Sequence, residues 1–72
     1  MNTILIFKTS VQSKSEVLML KSYIENIVKD SKWNFDLDDS DRIFRVETEM
    51  NMYYPLVSLF NEKGFLCEEL ED

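Results

Sequence analysis

The chain has 72 residues, enough for one domain with a single hydrophobic core but not for two. Aliphatic and aromatic residues are spread along it, with one glycine and one proline, so the composition is that of a folded protein. Fourteen acidic residues against eight basic ones give a net charge of −6, which argues against nucleic acid and anionic membranes as partners, because both are bound through basic surfaces.

The cysteine content and the N-terminal segment indicate in which cellular compartment the protein resides. Cys67 is the only cysteine, so no internal disulfide can form. The apolar run within Met1 to Lys8 is far shorter than the roughly 18 residues of a membrane span. It also lacks the basic start and cleavage site of a signal peptide. We therefore expect a cytoplasmic protein that does not enter the membrane.

The N-terminal half begins with a predicted strand and helix. Thr3 to Thr9 is apolar and β-branched, which predicts a strand. Ser13 and Ser15 are both candidate N-caps, and Ser13 with Glu16 has the S-x-x-E spacing of a capping box. Lys29 is expected in the last turn, where a cation complements the helix dipole. The apolar face of the helix repeats at three- and four-residue intervals, at Val17, Leu20, Ile24, Ile27 and Val28.

A hairpin is predicted next. Trp33 to Asp38 alternates apolar with polar residues, as in a strand with one buried face. Asp38 to Asp41 has the composition of a turn, and Ile43 to Glu49 returns as the second strand. Asp36, Asp38, Asp39 and Asp41 lack the glycine and distal glutamate of a Ca²⁺ loop, so we expect a structural role for them. Alternation places Asp36 and Asp38 on the solvated face of the strand, and the others are expected to serve the turn.

The C-terminal part predicts a second helix and a last strand. Tyr53 to Lys63 has helical spacing, with Pro55 in the first turn and Gly64 placed to end the helix in the left-handed conformation. Phe65 to Leu70 predicts a short strand. The order βαββαβ predicts one α+β domain over residues 1–72, a ferredoxin-like open-faced sandwich with two helices on one face of a four-stranded antiparallel sheet. Right-handed crossovers place the first and third strands centrally.

The predicted core joins inward-facing strand residues to the apolar faces of both helices. Its members are Leu5, Phe7, Val17, Leu20, Ile24, Trp33, Phe35, Leu37, Phe44, Val46, Leu56, Phe60 and Phe65.

The segment Phe7-Lys8-Thr9-Ser10-Val11-Gln12-Ser13-Lys14-Ser15-Glu16 resembles the start of heavy-metal-associated domains, the copper-chaperone-like family. The resemblance continues through Trp33 to Leu37 and Ile43 to Thr48, and it ends at Lys63-Gly64-Phe65. In that family the loop carries T-C-x-x-C, and both thiolates bind Cu(I) or a similar soft metal. Aligned on Thr9, the two cysteine positions are Ser10 and Ser13 here.

This departure changes the function that the resemblance implies. Hydroxyls are poor ligands for soft metals, so we expect neither a metal nor a cofactor at Ser10 and Ser13. Ser13, with Glu16, is instead predicted to stabilise the start of the helix. The alternative is a soft-metal carrier or sensor that uses Cys67 with Met50 or Met52, although a lone cysteine on a strand and methionines in a connection more often serve packing.

Catalysis is not expected from this set of residues. No histidine is present to act as a base for Ser13, Ser15 or Cys67, and one glycine cannot form a phosphate-binding loop. Glu47 and Glu49 share a strand face, but they are expected to be solvated. The protein is therefore predicted not to be an enzyme and to have no catalytic residues.

Two surfaces are predicted to make contacts. If Leu5 and Phe7 face the helices, Ile4 and Ile6 face the other way, and Ile43 on the neighbouring strand joins them in an exposed apolar spot. The second surface is the 9–13 loop, where family members dock onto partners; Lys14, with Lys8 and Lys21, suits an acidic partner there.

We therefore predict a non-catalytic interaction module that binds a protein partner or a second copy of itself. A remoter option is a regulatory domain or small enzyme subunit that binds a ligand on the sheet face.

Overall fold

Six elements follow one another in the order that the sequence predicts. The computed structural model describes residues 3–29 and 31–70, so Met1 and Asn2 of the apolar N-terminal run lie outside the described residues. The elements are β1 (Thr3–Thr9), α1 (Lys14–Ile27), β2 (Lys32–Asp36), β3 (Ile43–Thr48), α2 (Tyr53–Glu62) and β4 (Cys67–Glu69).

The four strands form one antiparallel sheet in the order β2-β3-β1-β4. The predicted central position of the first and third strands is confirmed. Leu5 and Phe7 on β1 pair with Val46 and Phe44 on β3, and all four are buried on the face that both helices cover. The protein is an α+β structure with one face of its sheet open.

Aromatic residues fill the centre of the core. The ring of Phe44 lies 4.8 Å from that of Phe35 and 5.2 Å from that of Phe60, measured between centroids. Such contacts stabilise a core by about 0.5–1.5 kcal/mol each beyond the burial of their area. Every predicted core residue belongs to this core or packs against it. Buried members of this core that the prediction omitted are Val11, Val28, Leu59 and Cys67.

The two helix ends that the sequence specified most clearly are confirmed. Ser13 is the N-cap of α1, and its Oγ accepts a hydrogen bond from the Glu16 N–H at 3.2 Å. The Glu16 Oε1 accepts from the Gln12 N–H at 2.7 Å, one residue before the usual capping-box donor. Gly64 has a φ of 89°, the left-handed conformation that ends α2.

Several predicted boundaries differ from the structure. The prediction for Lys29 is wrong, because α1 ends at Ile27 and has no basic residue in its last turn. β2 ends at Asp36, before the predicted Asp38, and β3 ends at Thr48, before the predicted Glu49. β4 is shorter than predicted at both ends. Between β2 and β3 the chain turns instead, and the Asp39 Oδ1 accepts from the Asp41 N–H at 2.8 Å. Asp39 thus has the predicted structural role in the turn.

Candidate functional site

The loop between β1 and α1 is held by hydrogen bonds to distant parts of the chain. The Thr9 hydroxyl donates to the Arg42 carbonyl at 2.6 Å and accepts from the Val11 N–H at 3.2 Å. The Thr9 N–H donates to the Asp41 carbonyl at 3.1 Å. Val11 is fully buried, so the loop is anchored in the core as well as to the turn before β3.

Both serines that the resemblance aligns with metal ligands make structural hydrogen bonds. Ser10 is bonded to Leu66 twice: its N–H donates to the Leu66 carbonyl at 3.3 Å, and its Oγ accepts from the Leu66 N–H at 2.8 Å. Ser13 caps α1. These two hydroxyls bind backbone amides of the protein, and a hydroxyl offers a soft metal little affinity.

Cys67 lies beside this loop with its side chain in the core. It pairs with Thr9 across the β1–β4 ladder, and its side chain is only 6% exposed. Burial raises the pKa of its thiol from 9.0 to about 12, because the thiolate would lose its hydration. Forming the thiolate that a metal ligand or a nucleophile requires is therefore harder for Cys67 than for an exposed cysteine.

The structure does not bring Cys67 together with the two methionines of the alternative metal site. Met50 and Met52 line a groove with the C-terminal end of α1. Met50 follows Thr48, which lies opposite Thr3, whereas Cys67 lies opposite Thr9. Those ends of β1 are about 20 Å apart along an extended strand. Within the described residues, no three Cys, His, Asp or Glu side chains form a metal-binding group.

The open face of the sheet presents an apolar patch at its centre. Ile4 is 60% exposed, and Ile6, two residues along the same strand, is partly exposed. The Leu70 N–H donates to the Ile6 carbonyl at 2.8 Å, and the β1–β4 register extended by one pair places Leu70 opposite Ile6. Leu70 is itself exposed. We call Ile4, Ile6 and Leu70 the outer patch.

Ile43 faces the same side but does not extend the exposed surface. It lies opposite Lys8 on one side and Asp36 on the other, yet only 8% of it is exposed, so its expected exposure is wrong. The Lys8 ammonium reaches to 3.9 Å from the carboxylate of Asp41. A lysine held in this direction covers neighbouring apolar surface with its hydrocarbon stem.

The charges around the outer patch are balanced. The strand registers place three basic side chains on this face, Lys8, Lys32 and Arg45, and three acidic ones, Asp36, Glu47 and Glu68. The whole chain, in contrast, carries a net charge of −6. The open face is therefore closer to neutral than the chain as a whole, so it repels an acidic partner less than the net charge implies.

The lysines expected around the 9–13 loop do not form one basic patch. Lys8 belongs to the open face and is paired with Asp41. Lys14 and Lys21 are exposed on α1, on the other side of the sheet, and seven residues of helix separate them by about 10 Å. Lys8 therefore lies on a different face of the sheet from Lys14 and Lys21, and the docking of an acidic partner at the 9–13 loop stays a prediction.

Comparison of the chain with protein-family models, with curated proteins and with solved structures finds no match. In the described part of the chain, neither helix has the length and apolar composition needed to cross a bilayer.

Two features of the site were not predicted. Leu70 had a usable signal, since alternation from buried Cys67 puts Glu68 and Leu70 on the open face. The hydrogen bonds of Thr9 and Ser10 had no signal in the sequence. Thr9 bonds a residue 33 positions away in the chain, and Ser10 bonds one 56 positions away.

Proposed function

We propose that this chain is a non-catalytic interaction module that binds a protein partner through the outer patch. The observation that carries the proposal is the exposure of Ile4 at 60% on the central strand of an open sheet face. Exposed apolar clusters with a charged rim are typical of protein contact sites. A balanced rim suits a protein surface of mixed charge better than a polyanion.

The proposal includes a ferredoxin-like fold and a relationship to heavy-metal-associated domains that have lost their ligands. The βαββαβ order with β1 and β3 at the centre is that of ferredoxin-like proteins. The structural bonds of Ser10 and Ser13 support the loss of metal binding. The soft-metal alternative receives no support from the buried Cys67 or from the distant Met50. The proposed location is the cytoplasm, where a lone thiol remains reduced.

Site-specific photo-crosslinking in cells of the source organism tests the outer patch. A photoreactive phenylalanine analogue at Ile4 is expected to give discrete adducts with a partner. The matched control carries the analogue at Tyr54, which is 80% exposed on α2. In a second variant, Ile6→Lys next to the analogue at position 4 should abolish the adducts, because it places a charge in the contact.

The results separate the proposal from non-specific contact. Adducts from position 4 that disappear with Ile6→Lys, in a protein whose circular dichroism is unchanged, support it. No adducts, or the same adducts from positions 4 and 54, would show that the outer patch is not a specific contact site.

A further inference from the structure

β2 is an edge strand with an open side. In the described sheet it pairs with β3 alone, so its other side is free to accept a further strand. Its five residues, Lys32 to Asp36, contain no proline and follow a regular register with β3. Such edges attract other strands unless the protein protects them, and this one lacks a proline or a bulge.

From the sequence and faces of β2, we propose that two copies of this chain associate through it. The two strands run antiparallel about a two-fold axis at Asn34, and the two sheets become one of eight strands. Lys32 of each copy then lies opposite Asp36 of the other, and Trp33 lies opposite Phe35. Residues directly opposite one another in an antiparallel pair share a face, so these pairs are in contact.

The charges of β2 select this arrangement. With the faces of the two sheets aligned, only the register centred on Asn34 pairs all five residues. Lys32 and Asp36 both belong to the open face, and in this register opposite charges meet twice. The other edge strand lacks this complementarity, because β4 is three residues long and two copies would bring Glu68 against Glu68.

An apolar groove beside the β2 edge also supports a second copy of the chain as the partner. It lies between α1 and β2, has a volume of about 540 Å³, and is lined in part by Val17, Leu18, Phe35 and Leu37. Leu18 is 69% exposed on the helix. A second copy paired on β2 would bring its own α1 to this side of the sheet and remove this apolar surface from water.

A charge-swap experiment tests the dimer by sedimentation equilibrium. Wild type is expected to dimerise reversibly. Lys32→Glu alone and Asp36→Lys alone should each weaken the dimer about tenfold or more, because like charges then meet twice. An equimolar mixture of the two variants should form a heterodimer, since the two carboxylates at positions 32 and 36 of one chain then face two lysines of the other. The double variant Lys32→Glu/Asp36→Lys should dimerise like wild type.

Glu62→Lys, the same charge change as Asp36→Lys on the exposed surface of α2, is the control and should leave the dimer unchanged. Recovery in the mixture excludes misfolding as the cause of the weakening. A wild-type monomer at concentrations up to about 1 mM would overturn the proposal. A dimer that the single variants Lys32→Glu and Asp36→Lys retain would also overturn it, because the contact would then lie elsewhere. Growth into oligomers larger than a dimer would overturn it for the same reason.

Discussion

At the scale of single residues, Cys67 shows how the fold determines the reactivity of a side chain. Its position opposite Thr9 on the helix-covered face places the sulfur in the core. The thiol therefore acts as a small apolar group, and the raised pKa of about 12 is a consequence of that burial. At a pH where the thiol ionises in the unfolded state but stays neutral in the folded state, ionisation favours the unfolded state and lowers the free energy of unfolding.

The first prediction concerns stability at high pH. Below pH 9 the thiol is neutral in both states and has no effect on the pH dependence. Between pH 9 and about 12 only the unfolded state loses the proton, so stability falls, by up to about 1.4 kcal/mol per pH unit. Cys67→Val removes this contribution, and its urea-unfolding free energy, measured at pH 7, 9 and 10.5, should fall less steeply than that of wild type. Lysine and tyrosine titrations are common to both proteins. If the unfolding free energies of wild type and Cys67→Val fall in parallel with pH, the thiol is not buried in solution.

The residues of the 9–13 loop show what local sequence can and cannot predict. The role of Ser13 was predictable, because a capping box involves residues three apart. The bonds between Ser10 and Leu66 were not, because they exist only after β1 and β4 have paired. The predicted exposure of Ile43 was wrong for a related reason. Alternation gives the face on which Ile43 lies, but it does not give how far neighbouring side chains cover that residue.

At the scale of elements, α1 depends on its N-terminal cap, and this gives the second prediction. The Ser13 hydroxyl satisfies the Glu16 N–H, so Ser13→Ala should lower the free energy of unfolding by about 0.5–2 kcal/mol in urea denaturation. Ser15→Ala, the same change two residues further on, should alter it by less than about 0.5 kcal/mol, because the Ser15 hydroxyl bonds the Ser13 Oγ at 3.0 Å on the exposed surface rather than a backbone N–H of the helix. Equal losses in both variants would contradict the assignment of Ser13 as the cap.

The interiors of the elements were easier to predict than their ends. Periodicity gave the faces of α1 and β2, because burial of one face imposes a period of 3.6 or 2. The end of α1 at Ile27 was missed, since the sequence there has no glycine or proline to mark it. At β4 the three-residue strand depends on which residues β1 can reach, and its own sequence does not determine that.

At the scale of the whole molecule, the two proposed contacts occupy different surfaces. The outer patch lies on β1 and beside β4, whereas the proposed dimer uses the far edge at β2. Association through β2 would place two outer patches on one continuous sheet face and leave both accessible. A partner with two matching sites would then bind more tightly than a partner with one, because the second contact is intramolecular.

The last prediction tests the relationship of the whole fold to heavy-metal-associated domains. If the 9–13 loop has the family's geometry, restoring its two thiols should restore metal binding without any other change. Ser10→Cys/Ser13→Cys, made together with Cys67→Val, should bind Cu(I) with a one-to-one ratio in competition with a chelating probe. Wild type should not compete with the probe for Cu(I). Ser10→Cys alone and Ser13→Cys alone should bind Cu(I) more weakly than the double variant, because one thiolate is missing. The double variant loses the helix cap and the Ser10–Leu66 bond, so circular dichroism must first show that it is folded. A folded double variant that does not compete would mean that the chain shares only its strand order with that family, and the proposals for the outer patch and the β2 edge would stand without it.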